Sequence, residues 1–180
     1  MQVERSVAEI MEADHAELDK LLAELISGIS VDEPDLVLGY RKLDLFWARL
    51  AVHIRAEHLA VFPSAIEAAD DLGRDHEEVA ALLMELRRDH DHFIKELARA
   101  VKAVRLVPDF GNEAETFVVV RDLVDGVRQR LVRHNQIEEE IVYPLASEKI
   151  HARVKMELEN LPQRFSGPQP QSLDTTKKPR

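Results

Sequence analysis

The sequence predicts an all-α fold: an antiparallel up-down four-helix bundle with a pseudo-two-fold repeat, then a short C-terminal helix and a disordered tail. Three observations carry this expectation. Four long segments show apolar residues recurring at three- and four-residue steps, the period of a helix with one buried face. Helix-forming Ala, Leu, Glu, Lys and Arg fill those segments, while Gly and Pro punctuate the chain sparsely, with 6 and 8 in 180 residues. Finally, the polar residues set into the first two segments recur in the second two.

The first segment runs from about residue 3 to 29 and ends near Ser30 and Asp32. The second runs from about 34 to 63, with a continuation to about 69. Asp71, Leu72 and Gly73 form the break before the third, from about 75 to 106. Pro108 to Asn112 reads as a loop, with Pro108 and Gly111 as its breakers. The fourth segment spans about 113 to 143, and a shorter amphipathic stretch, about 147 to 161, is expected to pack on the outside. Residues 162–180 mix Pro, Gln, Ser, Thr and Lys, the composition of a disordered tail. Short breaks between long helices favour antiparallel neighbours, so residues 1–161 are expected to form one domain.

Composition narrows the chemistry. With 45% apolar residues the chain can bury a substantial core. A net charge of −10 argues against a nucleic-acid backbone as partner. There is no cysteine, which removes disulfides, thiolate metal sites, iron–sulfur clusters and a cysteine nucleophile together. Any redox chemistry must rest on nitrogen and oxygen ligands. The N-terminal residues do not resemble a signal peptide, and no stretch approaches a membrane-spanning length. The expectation is a soluble cytoplasmic protein with no membrane partner.

The repeat is specific. Asp14-His15-Ala16-Glu17-Leu18 resembles Asp89-His90-Asp91-His92-Phe93, and His53-Ile54-Arg55-Ala56-Glu57 matches His134-Asn135-Gln136-Ile137-Glu138. Ten residues past His53 and His134 comes a proline after an aromatic, Phe62-Pro63 and Tyr143-Pro144. The offsets are 75 residues (90 − 15) and 81 residues (134 − 53). A shared helical period alone would not align histidines, carboxylates and breakers at once.

Each long segment thus contributes one histidine, and the second and fourth add a glutamate four residues later, on the same helical face. That face is apolar. Phe46, Leu50, His53, Glu57 and Val61 form one stripe, and Val127, Leu131, His134, Glu138 and Ile141 form another. Met11, His15, Leu18 and Leu22 line up in the first segment; Leu83, Leu86, His90, Phe93, Leu97 and Val101 do so in the third. A buried, ionised glutamate is costly unless paired or bound to a cation. With no matching buried lysine or arginine, a divalent metal is the simplest solution. Imidazole with carboxylate suits iron, manganese, zinc or copper, whereas calcium and magnesium want oxygen alone. Four histidines and two carboxylates exceed the needs of one tetrahedral zinc. They fit two metals a few ångströms apart, bridged by the glutamates, with two histidines on each ion.

One histidine followed by His-x-x-x-Glu, repeated, with aromatic-proline after each His-x-x-x-Glu, resembles the hemerythrin-like, cation-binding HHE family over roughly residues 10 to 145. The resemblance implies two iron ions, oxo- or hydroxo-bridged, although other divalent metals suit the ligands. It implies His15, His53, His90 and His134 as terminal ligands and Glu57 and Glu138 as bridges. It also implies a small diatomic ligand or peroxide as the partner, in oxygen carriage, oxygen or iron sensing, nitric oxide or peroxide handling, or iron–sulfur repair. Two departures stand out. Oxygen-carrying hemerythrins have a fifth histidine four residues before the third-helix ligand, and Leu86 occupies that position here. His58 follows the first bridge where many relatives carry an acid; its counterpart is Glu139.

Other candidates are weighed as follows. His92 competes with His90 but lies on a different face, and the match to Asp14-His15 favours His90. His76 and His151 are expected at the surface. Tyr40 and Tyr143 are either oxygen ligands or redox partners, or simply packed aromatics with a wet hydroxyl. Glu12 with His15, and Glu148 with His151, form Glu-x-x-His pairs taken as incidental. The expected function is a di-iron protein that binds or reacts with oxygen, peroxide or nitric oxide, in stress defence or iron–sulfur repair. The alternatives are an oxygen- or iron-sensing or storage module without turnover, and a metal-free structural bundle.

Overall fold

The computed structural model describes residues 5–32, 34–69, 73–110 and 113–160, and among them there is helix and no strand. Helix α1 (Val7–Ile29) begins with a capping box. Ser6 Oγ accepts from the Glu9 N–H at 3.1 Å, and the Glu9 carboxylate accepts from the Ser6 N–H at 2.7 Å. The Glu148 carboxylate also accepts from the Val7 N–H at 3.1 Å, at the start of the helix. Helix α2 (Leu36–Ala56) is capped by Asp35, whose side chain accepts from the Leu38 N–H at 2.9 Å.

The chain continues from α2 through one π-helical turn, Glu57–Val61, into α3 (Phe62–Ala69). Gly73, at φ 68°, turns it toward α4 (His76–Phe110). Asp75 caps α4 by accepting from the Glu77 and Glu78 N–H groups at 2.8 and 3.2 Å. Helix α5 (Glu113–Ile137) repeats the second pattern: a π turn, Glu138–Val142, follows it directly, then a 3-10 turn, Tyr143–Leu145. A further 3-10 turn, Glu148–Ile150, leads into α6 (His151–Glu159). α6 is tied to α2 by Arg55, which donates to the Glu157 carbonyl at 2.9 Å.

Three boundaries differ from expectation. α4 runs through Pro108 to Phe110 rather than ending near 106. A proline in the last turn forfeits one backbone hydrogen bond, which a helix end tolerates. The expected second and fourth helices, to about residues 63 and 143, stop at Ala56 and Ile137 and change type. Prolines cause this. Pro63 and Pro144 have no N–H and would press on the carbonyl four residues back, and a wider turn relieves the clash. Accordingly the Phe62 N–H donates to the Glu57 carbonyl and the Tyr143 N–H to the Glu138 carbonyl, five residues back in each case. The register shifts with it: Ile141, expected on the buried stripe, is only partly buried, while Val142 and Tyr143 are buried. The expected tail, 162–180, lies outside the described residues, as do Asp71, Leu72, Gly111 and Asn112.

The long helices meet in a ring, α1 on α2, α2 on α4, α4 on α5 and α5 on α1, forming a helical bundle. Gly39 allows a close approach, since a Cβ there would stand 3.3 Å from Phe117 and 3.4 Å from Ile29. The interior holds two apolar clusters. One gathers Leu18 to Ile29, Leu43 to Ile54, Phe93 to Val104 and Phe117 to Leu131. The other gathers Val7, Met11, Val61, Phe62, Leu83, Leu86, Tyr143 and Val154. α1 and α4 pass from the second cluster into the first, and α2 and α5, with the π turns that follow them, pass the other way. His15, His53, His90 and His134 fall between the clusters on their respective helices, so a polar layer divides the core.

Phe46 is fully buried in the first cluster. Phe46→Ala is expected to lower unfolding free energy by about 3–5 kcal/mol in urea titration, through lost burial and the cavity left behind. A loss under 1 kcal/mol would mean that the cluster is not packed as described.

Candidate metal centre

The polar layer brings together all six residues singled out by the repeat. Glu57 and Glu138 are fully buried, and His15, His53, His90 and His134 nearly so. Every histidine turns its Nε2 inward. His53 Nε2 lies 3.4 Å from Glu57 Oε1, and His15 Nε2 lies 3.5 Å from Glu138 Oε2. On the other side, His90 Nε2 lies 3.2 Å from Glu57 Oε2 and 3.5 Å from Glu138 Oε1, with His134 Nε2 3.0 Å from Glu138 Oε1. Each carboxylate therefore presents one oxygen to each histidine pair. Ligating atoms of His15, His53, Glu57 and Glu138 all lie within 4.8 Å of one another, and so do those of His90, His134 and Glu138.

The outward Nδ1 atoms are held just as systematically. His53 Nδ1–H donates to Asp14 at 2.8 Å, and His134 Nδ1–H donates to Asp89 at 3.3 Å. Asp14 and Asp89 are the residues before the first histidine of each unit, so each orients the second histidine of its own unit. They are held in turn by arginines: Arg49 donates to Asp14 at 2.6 Å and Arg130 Nε to Asp89 at 2.7 Å. Arg49 and Arg130 both stand four residues before the second histidine. The residues following Glu57 and Glu138 complete the pattern. His15 Nδ1–H donates to Glu139 at 2.7 Å, and His90 Nδ1 meets His58 Nε2 at 2.9 Å. His58 and Glu139 thus stand one hydrogen bond behind the centre, fixing which nitrogen of each ring faces inward.

Burial alone would raise the pKa of Glu57, but the charges of His53 and His90 hold its carboxyl well below the usual range. Glu138 is lowered too; burial and the Glu57 charge oppose this, and the facing imidazoles of His134, His15 and His90 outweigh them. Against its own burial, the Glu57 charge and the Asp14 hydrogen bond lift His53 to about 10. His90 is lifted to about 9, again against burial, chiefly by the Glu57 charge. Burial, with the neighbouring His90 and Arg87 charges, pushes His58 down to about 4, leaving it neutral and able to accept from His90. Tyr143 is raised well above 10 by burial and by the Glu138 and Glu57 charges, so its hydroxyl keeps its proton in the metal-free site.

These donors fit a cation. Glu57 Oε2 and Glu138 Oε1 are buried without a hydrogen-bond partner, although histidine nitrogens lie 3.0–3.5 Å away. His90 Nε2 and His134 Nε2 face each other at 2.8 Å. Both nitrogens are turned toward carboxylate oxygens as well. Donors sharing an ion at about 2.1 Å stand about 3 Å apart at neighbouring corners, which is the spacing seen here. Among the described residues, only histidines lie within ion-pair distance of Glu57 and Glu138.

The other candidates fall elsewhere. His92 is partly buried, edge-on to Phe93, and outside the cluster. His76 is exposed as expected, whereas His151 is partly buried rather than solvent-facing. The Tyr40 hydroxyl accepts from Arg105 at 2.7 Å and takes no part in the layer. Tyr143 is different: it is buried, with its hydroxyl among the inward atoms of His15, His53, Glu57 and Glu138. Reading the sequence did not assign work to Asp14, Asp89, Arg49 or Arg130. The signal was present as a longer repeat, Arg-x-x-x-His-x-x-x-Glu, at 49–57 and 130–138.

Comparison with known proteins agrees with this geometry. The model of the hemerythrin HHE cation binding domain matches residues 6–146, well over half of the chain, and the chain belongs to that family. Searches of curated proteins and of solved structures gave no match.

Two outcomes follow. Asp14→Asn is expected to weaken metal binding about 10–100-fold in competition titration, because His53 loses its orienting carboxylate. Unchanged affinity would show that Asp14 does not act through His53. The second concerns pH in the metal-free protein. His53 and His90 are raised above 6.5, so their stabilisation is full below that pH and is lost as pH climbs through about 9 and then about 10. Glu57 and Glu138 are lowered, so theirs is present above 4.5 and fades as pH falls. Urea unfolding across pH should show that alkaline loss. Metal loading at neutral pH should release protons from these histidines, readable by calorimetry in buffers of different ionisation enthalpy. No proton release would contradict the assignment.

Proposed function

We propose that this member of the hemerythrin HHE cation-binding family is a non-haem di-iron protein that binds or reacts with oxygen, peroxide or nitric oxide. In this reading His15 and His53 hold one ion, His90 and His134 the other, and Glu57 and Glu138 bridge them. The observation that carries it is the pair of buried carboxylates, each offering one oxygen to each histidine pair, with Glu57 Oε2 and Glu138 Oε1 lacking any hydrogen bond. Bound iron would supply one-electron chemistry and affinity for small ligands.

The chain's residues do the rest. Two carboxylates offset the charge of the ions and favour their oxidised form. Asp14, Asp89, Glu139 and His58 hold the imidazoles so that little reorganisation is needed on loading. The apolar clusters on either side exclude water, which strengthens electrostatic interactions within the layer. Leu86, buried one turn before His90, supplies no fifth nitrogen, which leaves a position for an exogenous ligand and favours reactivity over reversible oxygen carriage. Such chemistry suits defence against oxidative or nitrosative stress, or the repair of iron–sulfur centres.

The same reading takes α1, α2, α4 and α5 as an antiparallel up-down bundle, supported by the opposite order in which successive long helices pass between the two apolar clusters. It places the functional unit in residues 1–161, with 162–180 as an appended tail.

Protein produced with ample iron is expected to hold two iron ions per chain. His53→Ala or Glu138→Ala should lose most of that iron while keeping helical circular dichroism. Absence of near-stoichiometric iron in the unaltered protein would sink the proposal. Mixing the loaded protein with peroxide then separates the functions: consumption over many turnovers marks a reactive centre. Reversible oxygen-dependent bands without consumption mark a sensing or storage module.

A further inference from the structure

The two halves of the site are near copies, and they differ at one aromatic. Phe62 stands five residues after Glu57, and Tyr143 five residues after Glu138. In an α-helix that step would place the aromatic about 140° around the axis from the glutamate. The two π turns undo this and carry each ring back to the centre, against the first histidine of the opposite unit. The Phe62 ring stacks on His90, with centroids 5.7 Å apart and planes at 8°. The Tyr143 ring lies against His15, with centroids 5.4 Å apart and planes at 38°. Only Tyr143 carries an oxygen.

That oxygen is placed as a donor would be. Tyr143 Oη lies 2.8 Å from Glu57 Oε1, 2.9 Å from His15 Nε2, and 3.5 Å from both His53 Nε2 and Glu138 Oε2. It meets all four donors of one half-site at the spacing expected of ligands around a single ion. The other half has nothing comparable. Phe62 has no donor atom, and Leu86 is apolar and buried. A surface cleft of about 470 Å³, lined in part by Leu86, Asp89, Arg130 and Ile137, lies on that side.

The geometry points to Tyr143 as a fifth protein donor to the ion held by His15 and His53, leaving the exchangeable position on the ion held by His90 and His134. This inference rests on the two-metal reading above. The Oη–metal bond forms as the phenol gives up its proton to solvent. The centre is then unsymmetrical, with five protein donors on one ion and four on the other, and an incoming ligand is directed to the His90 side.

The test uses the full chain loaded with ferric iron. The unaltered protein should show a phenolate-to-iron absorption band in the visible, with tyrosine ring modes in resonance Raman excited into it. Tyr143→Phe should keep two iron ions and lose both signals, while Tyr40→Phe keeps them. With azide as the probe, the unaltered protein should bind one anion per chain and Tyr143→Phe two. Phe62→Tyr should close the remaining position and abolish azide binding. Two bound iron ions without phenolate modes in the unaltered protein would overturn this inference and leave the two-metal reading standing. Phenolate modes that persist in Tyr143→Phe would overturn it likewise. Failure to bind iron at all would overturn both.

Discussion

Glu57 and Glu138 are fully buried, and the surrounding structure is organised around the cost of keeping two carboxylates there. Removing one ion from water costs several kcal/mol even after relaxation, so neither position is tenable without compensating partners. Those partners come in layers. Four imidazole nitrogens face the carboxylates, and behind them stand Asp14, Asp89, Glu139 and His58. Behind Asp14 and Asp89 stand Arg49 and Arg130, which reach toward the surface. Along the line from Glu57 through His53 and Asp14 to Arg49 the charge alternates outward, so each group stabilises the one inside it. The apolar clusters on either side keep this chain of contacts from dissolving into water.

The repeat explains how one sequence arrives at so many matched contacts. A unit of two helices carrying Asp-His on the first and Arg-x-x-x-His-x-x-x-Glu on the second satisfies its own second histidine through Asp14 or Asp89. Its first histidine, however, is oriented by the residue after the buried glutamate of the opposite unit, Glu139 for His15 and His58 for His90. One unit alone would leave a histidine unsupported and a carboxylate half paired. The centre is complete only where two units face each other, which ties the metal-binding geometry to the assembly of the bundle.

Much of this was legible in the sequence, and the parts that were not have a common cause. His15, His53, Glu57, His90, His134 and Glu138 could be found because α-helical periodicity puts them on apolar stripes. The same periodicity left Tyr143 open between an oxygen ligand or redox partner and a packed aromatic. Read as continuous α-helix, it falls well away from Glu138, and Ile141 seems the next buried residue. The proline that widens the turn was visible, but it was read only as a terminator, so the register shift it causes went unused. Asp14 and Asp89 were seen as evidence of the repeat rather than as partners of His53 and His134. Their work depends on how two helices lie side by side, which a single helical face does not encode.

Symmetry in the scaffold makes the departures from it informative. Both fall on the segment just after a buried glutamate: His58 against Glu139, and Phe62 against Tyr143. They act in the same direction. His15 and His53 are each backed by a carboxylate, which makes both imidazoles stronger donors, and Tyr143 adds an oxygen beside them. His90 is backed by His58, an imidazole that burial keeps neutral, and is faced by Phe62. One half-site is therefore electron-rich and crowded, and the other is weaker in donors and bordered by apolar Leu86. A duplicated helix pair supplies two equal cradles, and two differences beside Glu57 and Glu138 are enough to leave one cradle richer in donors than the other.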